Sequence, residues 1–554
     1  MSGRRPAADR IPALGIAQCA RRQARPAVEP ARWHRYTASA RPARDIAPFS
    51  PRPPEPSSVI EAQTNPYRGV DTRDQRPVVA VAGASGFIGT ALCPRLADDY
   101  RVLALTRSPA RANTPDPNSS IVWRHCDLFS LPELTAALAG VDFAVWLVHS
   151  LAPSSRLTQA RPRDLDLALA DNFARAAAAN GIRQILCIGA VLPPGYRIAP
   201  LLWSRREVEL VLASQGTPVT ALRASLVIGP GGTGPALLLD LVRRLPVLLL
   251  PAAAQSITRP IALADLVRAI LLCLGEPARY RGAFDVGGAE LLSYADMLTQ
   301  TAAVLGRRRR LLSVPLLPLW LVGLVARLAS GAPATMTGAI VEALPEALPL
   351  QDNPVQRAIQ PAALGFQAAL TTAIDPEQGR LRPNPRRALQ PRDRILMRQQ
   401  ARVRSIQRVI MPPGQTAAWV AGNYFRWLGR CCWPLVQTRI ADDGSVSVGV
   451  RLPRLTLLHL VPERAASSPA RQVYRVAGGL LARRAAARAD SEAIAGSQLR
   501  PRFEFQALLD GRYTMTAIHD YAPALPWYLY LPTQALAHRW VMARYQRRLA
   551  RLTR

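Results

Sequence analysis

Three glycines spaced by three, Gly83, Gly86 and Gly89, follow the run Val78-Val-Ala-Val-Ala82, and a helical period resumes at Thr90. The small apolar run reads as a buried parallel strand. A strand, a glycine-rich turn and a helix N-terminus together cradle the pyrophosphate of a dinucleotide, because backbone N–H groups and the positive end of the helix dipole converge there. Gly83 permits the tight turn, Gly86 lets the backbone approach phosphate, and Gly89 lets the helix pack on the strand. The loop Gly83, Ala84, Ser85, Gly86, Phe87, Ile88 and Gly89 is therefore the expected pyrophosphate site.

A second candidate lies at Thr106-Arg107-Ser108, where the next apolar run ends. In such a unit the end of the second strand faces the adenosine ribose. An acid there binds the 2′-hydroxyl of NAD, whereas an arginine suits the 2′-phosphate of NADP. Arg107 thus favours NADP(H) over NAD(H); the alternative is a solvated arginine at a strand end. An absence carries equal chemical weight. The 70 basic residues include no lysine, so all are arginine. A Schiff base, or a tyrosine activated by a neighbouring lysine, is not available to this chain.

The elements that must position these residues alternate along the chain. Strands are expected at 78–82, 102–106, 121–123, 143–148, 184–189 and 218–223, with helices at 88–97, 132–139, 164–180 and 204–214. Continuous apolar strands alternating with helices imply an α/β fold, a Rossmann-type doubly wound parallel sheet covered on both faces. Residues 230–375, with Leu237–Leu250 and the apolar stretch after Leu311, are expected to pack over the C-terminal edge of that sheet and close a substrate cleft. That stretch holds Pro315 and Pro318 and is flanked by Arg307–Arg310 and Arg327. It reads as a buried or interfacial helix, with peripheral membrane contact as an option.

Residues 376–400 read as an arginine- and proline-rich linker, and 1–76 as a disordered extension. A C-terminal α+β domain is expected over 401–554. Its strands would include Val403–Ile410, Arg502–Leu508 and Tyr513–His519, with a helix at Thr416–Leu428 and a final helix from Thr533. The final helix has its apolar positions at Leu536, Trp540, Val541 and Leu549. Trp419, Trp427, Trp433, Trp527 and Tyr528 could line an apolar-ligand pocket or form plain core.

A length of 554 residues accommodates several cores, and the net charge of +32 suits an acidic partner or reflects coding bias over solvated faces. The arginines are scattered rather than striped, which disfavours a nucleic-acid groove. Seven cysteines without a CxxC pair point to reduced thiols in a cytoplasmic protein, possible membrane association aside. The histidines lack metal-ligand spacing, so no metal site is expected.

Taken together, Gly83-Ala-Ser-Gly-Phe-Ile-Gly89, Cys126-Asp127-Leu128, Leu147-Val-His149-Ser150, Leu222-Arg223-Ala-Ser-Leu-Val-Ile-Gly-Pro230 and Asp285-Val-Gly-Gly288 resemble the atypical short-chain dehydrogenase/reductase superfamily over about 77–375. The nearest branch is similar to NmrA-like proteins and to relatives of the 39 kDa accessory subunit of respiratory complex I. The resemblance implies Asp127 and Leu128 beside the adenine, Leu147, Val148 and His149 along the pyrophosphate and nicotinamide ribose, and Ala224–Leu226 near the nicotinamide amide.

It also implies a Ser/Thr, a Tyr and a Lys, and here the chain departs. The Ser/Thr position falls at Gly189 or Ala190, the tyrosine at Leu201 and the lysine at Arg205. Arg205 could hold ribose, but its very high pKa bars it from acid–base work. His149, Ser150 and Tyr196 are the remaining polar candidates; a histidine there could titrate usefully or simply contact the cofactor. Arg404-Ser-Ile-Gln-Arg-Val-Ile-Met-Pro-Pro-Gly414 and Ala517-Ile-His-Asp-Tyr521 resemble a domain of unknown function fused to such reductases, with an element order similar to START and polyketide-cyclase folds. Two functions stand open: an NADP(H)-dependent oxidoreductase on an apolar quinone, isoprenoid or acyl compound, or a non-catalytic NAD(P)H sensor or scaffold with a protein partner.

Overall fold

The structure, a computed structural model, describes residues 75–113, 115–116, 120–149, 158–195, 198–330, 334–383, 403–451, 454–482, 501–521, 527–530 and 532–553. The expectations for 1–74, Ser150, Tyr196, most of the linker and the Trp527 side chain lie outside the described residues.

Eight strands of the first half enter the two large sheets: β1 (Val78–Ala82), β2 (Arg101–Thr106), β3 (Ile121–His125), β4 (Phe143–Trp146), β5 (Thr158–Ala160), β6 (Gln184–Ala190), β7 (Val219–Ala224) and β8 (Gly282–Val286). Seven of them form one sheet in the order β8-β7-β6-β4-β1-β2-β3. Every pairing in it is parallel. β1 is buried along its whole length, as an apolar strand between two helical layers must be. The chain runs outward from β1 to β3 and returns at β4. That reversal leaves a crevice beyond the ends of β1 and β4, where ligands of open α/β sheets bind.

The strands expected from apolar runs are all present. Two were not foreseen. β8 carries Gly282 and Asp285 and lacks a continuous apolar run. β5 is a three-residue strand that leaves the first sheet altogether.

β5 pairs instead with the second sheet. That sheet holds β9 (Val403–Ile410), β10 (Val436–Ile440), β11 (Val446–Val450), β12 (Leu455–Pro462), β13 (Arg471–Gly478), β14 (Arg502–Leu508) and β15 (Tyr513–Tyr521). Its order is β10-β11-β12-β13-β14-β15-β9-β5, antiparallel except for the parallel β9–β5 edge. One face lies on the first half: Ile406, Leu508, Met515 and Ala517 share a buried cluster with Trp146 and Phe173. The other face is covered by the helices Ala417–Cys431 and Gln534–Leu552.

Between them Tyr424, Phe425, Phe503, Phe505 and Tyr545 interlock, with the Phe503 and Phe505 rings 4.8 Å apart and those of Tyr424 and Tyr545 5.1 Å apart. Of the two readings of the aromatic set, plain core is the one met at Trp419 and Trp427. Trp427 stacks on Tyr545 in this packed core, while Trp433 and Tyr528 are exposed. The final helix buries Ala535, Met542, Tyr545 and Leu549 and turns Leu536 and Trp540 outward. Reading the largest apolar residues misplaces the face. Tyr545 commands it, because its hydroxyl donates to the Val420 carbonyl at 3.0 Å inside the core.

Candidate functional site

The cofactor crevice and the lobe over the sheet enclose one continuous cavity of about 1020 Å3. Its polar end is the glycine loop. Gly83 has φ +90, and a Cβ there would come within 3.0 Å of the Leu147 backbone that crosses behind it. Gly86 donates its N–H to the Gly83 carbonyl at 2.8 Å, closing the turn that starts the helix Phe87–Leu96. Gly83, Ser85, Gly86, Phe87 and Ile88 border the cavity. Ala84 and Gly89 do not: Ala84 is fully buried in the core, and a Cβ at Gly89 would meet the Ala84 Cα at 2.6 Å. Both pack beneath the loop, Gly89 in the close helix–strand approach expected of it.

Arg107, Asp127 and Leu128 border the end of the cavity expected to take adenosine, and Leu147, Val148 and His149 continue along it. Arg107 keeps solvent contact through the cavity, yet enough protein surrounds it that burial, followed by the nearby Arg404 charge, lowers its pKa, while Asp127 opposes the shift. Arg404 belongs to β9. It ion-pairs with Asp127 and, at 3.3 Å, with Asp520, and its guanidinium lies 4.5 Å from the centre of the Phe129 ring. Arg502 donates to the Phe129 carbonyl at 2.9 Å. The second sheet therefore builds a wall of the adenosine end. Asp520, which receives both arginines, is held at φ 54, an uncommon conformation for aspartate that aims its carboxylate into the cluster.

The three positions of the absent triad do converge. Gly189, Ala190, Leu201 and Arg205 all border the cavity. Gly189 carries no side chain for a physical reason: a Cβ there would overlap Oε1 of Glu209. Glu209 is buried and ion-paired at 2.8 Å to both Arg206 and Arg223. The carboxylate thus fills the volume a serine or threonine would need. Arg205 is anchored at 3.3 Å by Asp166, itself buried. Glu209, Asp166 and Arg404 hold or back residues of the cavity and are not foreseen from the sequence. Nothing local marks Glu209, and 277 residues separate Arg404 from Asp127.

Beyond Ala224, Ser225 and Leu226 the cavity turns apolar, bounded by Leu237, Leu241, Leu298, Leu321 and Val322. Polar cradle and apolar chamber are thus one space.

A family model described as NAD(P)H-binding matches residues 83–225. Residues 83–225 are an NAD(P)H-binding domain. This agrees with the resemblance of the sequence to atypical short-chain dehydrogenases and reductases. The chain is 33% identical over 144 residues to the auxiliary protein GraX of Staphylococcus aureus; the match covers 26% of this chain and 43% of GraX. A nucleoside-diphosphate-sugar epimerase from Staphylococcus aureus is similar at 16% identity and TM-score 0.43, covering 53% of this chain and 99% of its own. A triphenylmethane reductase from Citrobacter, complexed with NADP(H), is similar at 18% identity and TM-score 0.43, covering 53% of this chain and 100% of its own. The matched region ends just after β7, so β8, the apolar lobe and the second sheet lie outside it.

Proposed function

We propose that the chain is an NADP(H)-dependent oxidoreductase acting on an apolar acceptor, a quinone in the first instance. The observation that carries this reading is the single cavity that begins at the glycine loop and ends among leucines. The residues present suit a dinucleotide. The loop from Gly83 to Ile88 would hold the pyrophosphate, Arg107 and the neighbouring Arg404 the 2′-phosphate, Leu128 the adenine, and His149 with the Asp166-anchored Arg205 the nicotinamide ribose. When bound, a reduced nicotinamide supplies two electrons and a proton as hydride.

What the chain then provides is exclusion of water and orientation. Leu201 stands where a proton-transferring tyrosine would stand, and a glycine where its serine would stand. That combination suits an acceptor needing little acid catalysis: a quinone takes the hydride, and the second proton of the hydroquinone comes from water.

A second reading, a non-catalytic NAD(P)H-binding sensor or scaffold, is favoured by one observation, the Glu209 carboxylate in the volume of the missing serine. Steady-state oxidation of NADPH by the full chain, with a short-chain quinone, separates the two. Turnover with NADPH well above that with NADH is expected. Val322→Trp, which narrows the chamber, should raise KM for a bulky quinone and leave NADPH affinity unchanged. Tight NADPH binding without consumption across quinones and carbonyls would overturn the oxidoreductase reading in favour of the second.

A further inference from the structure

The helix Leu319–Ser330 forms a wall one helix thick. On its inner side Leu317, just before it, with Leu321 and Val322 borders the cavity. Its outer side shows Trp320, Leu324 and Leu328 at i, i+4, i+8, preceded by Leu316. These are 71%, 43%, 71% and 94% exposed. Side chains at that spacing share one face of a helix, so they form a stripe rather than scattered contacts. A contiguous apolar stripe of this kind on a water-facing surface marks an interaction site.

Its surroundings select the partner. Arg307, Arg308, Arg310 and Arg327 are exposed beside it, and no acidic residue occurs between Asp296 and Glu342. An apolar stripe in a segment whose only charged side chains are guanidinium groups matches an anionic bilayer, whose phosphates pair the arginines while the stripe enters the acyl boundary. The helix has 12 residues, about 18 Å, short of the roughly 30 Å of a hydrocarbon core. It can lie in the interface and cannot span it.

We propose that the face bearing Leu316, Trp320, Leu324 and Leu328 docks on anionic lipid surfaces, placing the wall of the apolar chamber against the bilayer. Docking stands on this face alone; its use as an entry route for a lipid-dissolved acceptor rests on the oxidoreductase reading above.

Flotation of the full chain with vesicles of phosphatidylglycerol and phosphatidylcholine in equal parts tests the docking. Wild type should float, and added salt should release part of it. Leu316→Glu with Trp320→Glu should lower vesicle partitioning at least about tenfold, as expected for removing two apolar anchors. Trp320→Leu should retain it. Unchanged NADPH titration and thermal unfolding would show that the double variant folds. Wild type that stays in solution, or a folded double variant that floats as well as wild type, overturns the proposal. So does a wild-type dimer that the double variant converts to monomer without any vesicle affinity, because the face then joins two copies. Turnover of a water-soluble quinone by the same preparation keeps failure of docking distinct from failure of the oxidoreductase reading.

Discussion

Gly189 sits beside the cavity with the Glu209 carboxylate pressed into the space its side chain would occupy, and Glu209 in turn holds Arg206 and Arg223. The departure from a Ser-Tyr-Lys site is therefore built into the surrounding ion pairs rather than confined to single substitutions. Restoring the hydroxyl is expected to fail. Gly189→Ser must displace a buried, doubly paired carboxylate, and should cost about 2–4 kcal/mol of stability in urea unfolding without raising turnover. A stable Gly189→Ser protein with new carbonyl reductase activity would show that the carboxylate yields easily. At this scale the sequence was a good guide to absences, because a missing lysine or tyrosine is visible at once. It was a poor guide to replacements. Nothing local distinguishes Glu209 in a buried pair from any glutamate on a helix.

At the scale of elements, legibility followed continuity of pattern. β1, β2, β4, β6 and β7 are mostly apolar runs between helices, and each lies within about two residues of where its run predicts. Val403–Ile410 matches to the residue because it is rich in β-branched residues (Val403, Ile406, Val409 and Ile410) and meets Pro412 soon after its end. β8 was hidden because its first residues are exposed and its polarity mixed, and its place is set by parallel pairing with β7. β5 is too short to carry any period; it exists because the edge of β9 needs hydrogen-bond partners. The buried face of the final helix is not legible from its large apolar residues, because burial there follows Tyr545, whose hydroxyl reads as polar, as well as Leu549. The apolar segment after Leu311 was legible as interfacial in composition. Its two-sidedness, chamber on one face and solvent on the other, depends on helices contributed from elsewhere. Among the described residues no helix is long and apolar enough to cross a membrane.

For the molecule as a whole, the two sheets are joined by buried charges as well as by a shared core. Arg408 of β9 reaches Glu207 at 2.5 Å and Asp164 at 3.4 Å, and Gln506 of β14 donates to Asp171. Next to this border, His519 is buried, and burial followed by the Arg502 charge lowers its pKa to about 4. Burial pushes the Glu504 carboxyl up, but Arg471, Arg502 and His519 outweigh it and bring it down to about 2. Unfolded, these groups titrate near ~6.5 and ~4.3, so the unfolded chain takes up more protons between about pH 6.5 and 4, and again between about pH 4.3 and 2. The stability each group contributes is complete above its unfolded pKa and is lost as the pH falls through its folded one. Thermal midpoints should therefore decline on acidification from about pH 6.5. His519→Gln should flatten the upper part of that decline, and an unchanged slope in the variant would show that His519 does not remain neutral in the folded protein.

The same border brings Arg404 to Asp127 and close to Arg107, so the account assigns the adenosine end of the cofactor site to both halves of the chain. Its central claim is that this end is built for a 2′-phosphate. The most direct test is an equilibrium titration of NADPH and NADH against wild type, Arg107→Ala and Arg404→Met. Wild type should bind NADPH more tightly. Arg107→Ala should lose roughly 10- to 100-fold in NADPH affinity, the worth of a charge-assisted phosphate contact, with NADH affinity nearly constant. Arg404→Met should move NADPH affinity in the same direction. Equal affinities for the two cofactors in wild type, or a parallel loss of both in Arg107→Ala, would contradict the account.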